Sequence, residues 1–459
     1  MERKNAWEKY SKKDLKALDK LAEGYKAFLD NGKTERECIN IIVNEMEENG
    51  YVELSKVIKA GRKLKAGDKV YTVNMQKAII LFQIGTAPIT EGMNILGAHI
   101  DSPRLDLKQN PLYEDGGFAL MDTHYYGGIK KYQWVTIPLA IHGVVVKKDG
   151  MTVIVNIGDA EDDPVFFVSD LLVHLSQEQL EKKANKVIEG EQLDIIVGNK
   201  PLKDEEKDKV KAGILKILKD EYDIEEDDFV SAELEIVPAG KAKDAGFDRS
   251  MVMGYGQDDR VCSYSSYIAM LECQAPKRTS CCILVDKEEI GSVGATGMQS
   301  RFFENSVAEI MALCGYEDNL SLRRALANSR MLSSDVSSAF DPSFAGSFDK
   351  KNVAYLGGGM VFNKFTGSRG KSGSNDANAE YLGFIRKVMD DADVTFQTAE
   401  LGKVDLGGGG TIAYILSLYG MNVIDCGVPV LNMHAPHEVT SKADLYEAKK
   451  GYLAFLQAE

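Results

Sequence analysis

Two carboxylates stand side by side in "ILVDKEEIGSVGATG", residues 283–297: Glu288 and Glu289, at the end of a short apolar run. Adjacent side chains on a strand point to opposite faces, so such a pair can divide two duties. One carboxylate can hold a metal ion while the other moves a proton. Four further segments carry compatible donors. "LGAHIDSPRLDL" offers His99 and Asp101, and "GYGQDDRVCSY" offers Asp258 and Asp259. "MLSSDVSSAFDP" offers Asp335, and "PVLNMHAPHEV" offers His434 and His437. Imidazole mixed with carboxylate suits zinc or a similar divalent ion.

Each segment also has a plainer reading. Asp258-Asp259 can cap a following helix. Asp335, after two serines, can be a turn residue, and His434 can be a buried, hydrogen-bonded histidine. Against these stands the scarcity of histidine. The chain has 6, and His99 and His434 both fall at ends of apolar runs. In open α/β sheets such strand ends form the ligand crevice. The inventory also fits two ions. Three carboxylates and a bridging hydroxide neutralise the four positive charges of two zinc ions, and the remaining glutamate shuttles the proton.

The elements that must position these groups are legible in the periodicity. Leu15, Leu18, Leu21, Tyr25 and Phe28 recur at helical spacing over residues 11–30, and Asn31-Gly32 is a stop. Thr34 with Glu37 predicts a capping box opening a second helix to about Glu48. "KVYTVN", "AIILFQIG" and "MNILGAHI" read as strands, the last ending at His99. "IPLAIHGVVVKKDGMTVIVNIG" reads as a hairpin turning at Asp149-Gly150. Residues 182–228 are densely charged, with helical spacing around "VKAGILKILKDEY". From Met251 onward, short apolar strands alternate with amphipathic helices again, one of them over about Ser300 to Leu313. The pattern predicts an α/β catalytic domain, residues 1–104 and 246–459, interrupted by a β-rich insertion, residues 105–245.

The 459 residues are 44% hydrophobic and 27% charged, an ordinary globular balance. The net charge of −15 argues against nucleic acid or an anionic membrane as the main partner. Seven cysteines without CxxC spacing predict neither a disulfide framework nor a zinc finger. No apolar run reaches the roughly 18 residues of a membrane span, and a reducing, cytoplasmic setting is expected.

The ordered motifs "GAHIDSPRLDL", "GQDDR", "DKEEIGS", "SSDVSSA", "GGGMVFNKF" and "NMHAPHEVTSKADL" resemble those of the aspartyl aminopeptidase and vacuolar aminopeptidase I family of dinuclear zinc exopeptidases. The resemblance spans most of the chain. It implies a mixed β-sheet flanked by helices, with the insertion serving dimerisation, and hydrolysis of peptides from their N-terminus. It implies that Asp258 bridges two ions, most simply Zn²⁺ with Co²⁺ or Mn²⁺ as alternatives. His99 and Asp335 would complete one ion, and Glu289 and His434 the other. Glu288 would be the general base, Asp101 would orient His99, and Asp259 would shape the turn after the bridge. His174, in "FFVSDLLVHLSQEQ", matches a histidine that family members place in the neighbouring subunit's active site; an ordinary helix-face histidine is the alternative. A homo-oligomer built on dimers, up to a dodecamer, follows from the same resemblance.

Two departures bear on substrate preference. Ser338 stands where the family commonly has histidine, and the loop "FNKFTGSRGKSGSND" is rich in glycine and serine. Lys364, Arg369 and Lys371 are its candidates for facing an acidic substrate side chain. "GSRGKSGS" is no phosphate loop, because Phe365 stands where the required glycine would be. A dinuclear metal deacylase acting on acylated amino acids is the second enzymatic reading, and a catalytically dead scaffold the non-enzymatic one. The presence of every expected ligand together with Glu288 argues against the scaffold.

Overall fold

The computed structural model describes residues 4–368 and 370–459. The chain divides into two compact units. The first comprises residues 1–101, 242–433 and 438–459; the second comprises residues 102–241 and 434–437. The short segment around His434 groups with the second unit.

The first unit is built on a nine-stranded mixed sheet. In chain order its strands are β1 (Val52–Glu53), β2 (Lys69–Asn74), β3 (Ala78–Gln83), β4 (Met93–His99) and β5 (Thr279–Val285). Then come β6 (Arg330–Ser334), β7 (Met360–Asn363), β8 (Phe396–Thr398) and β9 (Asn422–Gly427). Across the sheet the order is β1-β2-β3-β5-β4-β6-β9-β7-β8. The central four, β5, β4, β6 and β9, run parallel, so their carboxyl ends share one edge. Parallel strands buried on both faces need continuous apolar runs, and β4 and β5 are buried at every residue. Alternation along a strand feeds two helical layers. Cys282 and Leu284 pack into one core cluster, while the intervening Cys281 and Ile283 pack into the other.

The helices begin where side chains can satisfy their first amides. Ser11 and Asp14 form a capping box at α1 (Lys12–Asn31), and Thr34 and Glu37 form the expected one at α2 (Glu35–Glu48). α3 (Gln257–Glu272) starts differently. Asp258 and Asp259 have non-helical backbone angles in its first turn, so neither serves as the expected N-cap. A helix at Phe302–Leu313 matches expectation.

The second unit carries a six-stranded, wholly antiparallel sheet. The expected hairpin is there, Leu139–Val146 paired with Thr152–Ile157, and Gly150 supplies the left-handed residue at the turn (φ 88°). The charged tract yields one helix, Lys209–Tyr222. His174 lies on no extended helix. It sits in a single 3-10 turn, Val173–Leu175, and is exposed. Among the described residues no helix is long and apolar enough to cross a membrane.

Candidate active site

The site grows from the shared edge of the parallel strands. β4 ends on His99, β5 runs out into Asp286 and the Glu288-Glu289 turn, and β6 runs out into Asp335. Asp258 and Asp259 join them from the opening turn of α3. Strand polarity therefore gathers residues separated by up to 236 positions (335 − 99) at one edge.

His99 is the hub. Its Nε2 lies 3.2 Å from Asp258 Oδ1, 3.7 Å from Asp335 Oδ1 and 4.0 Å from Glu288 Oε2. Its Nδ1 lies 3.2 Å from Asp101 Oδ1 and 3.0 Å from the Asp101 carbonyl. The same Asp101 carboxylate accepts the backbone N–H groups of Glu288 and Glu289, each at 3.2 Å. One buried carboxylate thus touches both the imidazole and the turn that carries both glutamates. Potential ligand atoms of His99, Asp258 and Glu289 fall within 4.8 Å of one another, as do those of His99, Glu288 and Asp335 and those of Asp258, Asp259 and Asp335.

The electrostatics are those of a place prepared for positive charge. Burial works against a charged His99, yet hydrogen bonding to Asp101, Asp258 and Asp335 holds the imidazole well above its usual value. Burial, then repulsion from Asp335, pushes the Glu288 carboxyl up to about 8. Burial also drives Asp259 well above the carboxylate range, and neither of its oxygens has a hydrogen-bond partner. A cation relieves all of these at once. The donor set fits zinc: His99 Nε2 is buried and faces the carboxylate oxygens of Asp258 and Asp335.

Three supporting residues escape a reading of the sequence. Ser263 on α3 donates its hydroxyl to the His99 carbonyl at 2.6 Å. Glu438 accepts the Asp258 N–H at 3.0 Å and is almost fully buried. Gly427, ending β9, allows the Asp335 backbone to pass, since a Cβ there would sit 1.7 Å from the Asp335 carbonyl oxygen. Glu438 sits within a quoted motif, but nothing in the sequence distinguishes it from an exposed strand residue. Ser263 carries no signal at all.

The remaining expected residues are not among these three groupings of ligand atoms. His434 belongs to the second unit, where its Nδ1 is 2.9 Å from the Gly128 carbonyl. His174 also belongs to the second unit. Lys364 is exposed just past β7. Lys371 pairs with Asp376 at 3.0 Å and lies over the Phe365 ring. Arg369 lies outside the described residues.

The family model of the aminopeptidase I zinc metalloproteases (M18) matches residues 28–456. A "Probable M18 family aminopeptidase 1" of Clostridium acetobutylicum is 65% identical over 456 residues, covering 99% of this chain and 98% of that one. The crystal structure of an M18-family aminopeptidase from Thermotoga maritima has a TM-score of 0.95 at 43% identity, covering 100% of both chains. At 20% identity, the mApe1 dodecamer of S. cerevisiae shares the fold, with a TM-score of 0.77 over 96% of this chain and 97% of that one. The chain belongs to the M18 family of aminopeptidase I zinc metalloproteases and is a metallo-aminopeptidase.

Proposed function

We propose that the edge cluster holds two divalent ions and that Glu288 is the proton carrier in removing single residues from peptide N-termini. The observation that carries this reading is the convergence of His99 Nε2 on Asp258, Asp335 and Glu288, with Asp101 fastened behind it. In this reading Asp258 would be shared by both ions, His99 and Asp335 would hold one, and Glu289 would hold the other. His434 is retained as the second ion's histidine on the strength of the motif resemblance. Zinc is the family's metal; Co²⁺ or Mn²⁺ would suit the same donors.

When bound, the ions lower the pKa of water and polarise the scissile carbonyl. The chain's own residues do the rest. Glu288 takes a proton from the attacking water on its carboxylate and returns it to the leaving nitrogen. Its side chain is 16% exposed, enough for solvent to reach the carboxylate. Asp101 keeps the His99 Nδ1 occupied, so that Nε2 stays directed at the cluster.

A panel of aminoacyl chromogenic substrates and peptides tests the reaction class. The expected product is a free N-terminal amino acid, and N-acetylation of the peptide abolishes cleavage. Rapid cleavage of blocked peptides would return the deacylase reading instead. The same panel on Lys364→Ala, comparing acidic with neutral N-terminal residues, tests Lys364 as the partner of an acidic side chain.

The active form in this proposal is a homo-oligomer built on dimers, as large as the dodecamer named for the yeast relative. The second unit supports it. Val173, Leu175 and Leu180 are 71%, 67% and 69% exposed on one stretch of chain, an apolar run of the kind an interface would cover. His174 lies among them and is proposed to act in the neighbouring subunit's site. Complementation tests this. His174→Ala and Glu288→Gln, each nearly inactive alone, should regain activity when co-expressed, because one site of a mixed dimer inherits neither fault. Proven mixing without recovery would remove His174 from a shared site. A cytoplasmic, reducing setting belongs to the same proposal.

A further inference from the structure

The turn bearing Glu288 and Glu289 is closed at its base by a buried pair that the reaction itself does not call on. Asp286, just past β5, is 1% exposed, and Thr296, ten residues on, is 4% exposed. The Thr296 hydroxyl donates to Asp286 Oδ2 at 2.5 Å, and the Asp286 N–H points back to the Thr296 carbonyl at 3.3 Å. Lys287 Nζ lies 3.0 Å from the same Asp286 oxygen. Within the loop, Ser292 N–H donates to the Lys287 carbonyl at 2.6 Å and Gln299 N–H to the Ser292 carbonyl at 3.2 Å. Gly297 is required here, because a Cβ would lie 2.4 Å from the Ser292 carbonyl oxygen. From outside, Asn74 Nδ2 donates to the Ala295 carbonyl at 2.6 Å.

These contacts leave the two glutamates on a single 3-10 turn, Glu288–Ile290, with two kinds of anchor. Asp101 grips the turn from the front through its N–H groups. The Asp286–Thr296 pair grips the loop from behind. A hydrogen bond to a buried carboxylate is among the stronger ones available to a neutral donor. The hydroxyl is the only donor on the Thr296 side chain. We propose that Thr296, through Asp286, is a positioning residue that sets the placement of Glu288 and Glu289 at the reaction centre.

The proposal rests on the roles given above to Glu288 and Glu289, and its test separates the two. Thr296→Val is nearly isosteric and removes only the donor; Thr296→Ser keeps the donor and loses the methyl. A misplacement of about 1 Å costs on the order of 10²-fold in such reactions. With the Asp101 anchor intact, Thr296→Val is expected to lower kcat roughly 10-fold, with KM and metal content within about twofold. Thr296→Ser is expected to recover wild-type kcat. In the chelated protein, amide hydrogen exchange over residues 287–299 should quicken in the valine variant and not in the serine variant. Unchanged kcat and exchange in Thr296→Val, beside an inactive Glu288→Gln, would overturn the positioning role alone. Equal losses in the valine and serine variants would assign the effect to methyl packing and also overturn it. Should the valine variant not accumulate, Thr296→Ala takes its place, and failure of both to fold would make the pair a device of stability rather than of positioning. An active Glu288→Gln would instead strike at the reading of Glu288.

Discussion

Glu288→Gln is expected to fold, retain its metal, and turn over about 10²–10⁴-fold more slowly, the usual worth of a positioned general base. The substitution keeps the size of the side chain and removes its capacity to accept a proton. The backbone N–H of residue 288 remains on Asp101, so the turn keeps its anchor. Metal should stay because the carboxylates nearest His99 Nε2, at 3.2 and 3.7 Å, belong to Asp258 and Asp335, with Glu288 farthest at 4.0 Å. Glu289→Ala should behave differently, losing metal together with activity. Elemental analysis alongside steady-state kinetics distinguishes the pair. If the two variants exchange behaviours, base and ligand are the other way round.

Removal of metal should abolish activity, reversibly on return of a divalent ion, and should change how stability depends on pH. In the metal-free fold, burial and then Asp335 raise Glu288 from its ordinary 4.5 to about 8. Between those values the folded state holds a proton that the unfolded chain has released. Stability therefore falls as pH rises through that window, with a slope of up to about 1.4 kcal/mol per pH unit for each such proton. Asp425, raised by burial to about 7, adds in the same direction. His99, raised above its ordinary value, contributes stability that is likewise lost as pH climbs through its folded value. Thermal melts of chelated protein at a series of pH values should show this decline, flattened in Glu288→Gln. Metal-loaded protein should not show it, because ligands bind as deprotonated groups and metal affinity rises with pH. Full activity after exhaustive chelation would sink the metal assignment.

Much of this was legible before any coordinates. The capping box of Thr34 and Glu37 is local, set by residues three apart, and it appears where the spacing put it. The strands β3, β4 and β5 show as unbroken apolar runs because both of their faces are covered. The donors at 99, 258, 288, 289 and 335 could be picked out because metal chemistry restricts residue type. What supports them could not. Ser263 meets the His99 carbonyl only because α3 crosses behind β4, and Glu438 meets Asp258 only because its strand pairs with Met251–Gly254. Such contacts depend on tertiary register, which has no period along the chain. The plain reading of Asp258-Asp259 as a helix cap failed for a related reason. Both residues hold non-helical angles, and the Asp258 N–H is taken by Glu438, a partner far along the chain.

The alternation of Cys281 and Cys282 between two core layers gives the molecule a built-in pair of reporters. Both thiols are buried in the native fold, and burial holds each well above its ordinary pKa, so neither reacts while the sheet is covered. Each becomes reactive only when the helices over its own face lift away. A thiol reagent followed by peptide mapping would therefore time the peeling of the two faces separately, from adjacent positions on one strand. If the layer over Cys282, which contains α1 and α2, opens first, modification at 282 will run ahead of modification at 281. Simultaneous modification would mean that the two layers come off as one cooperative unit.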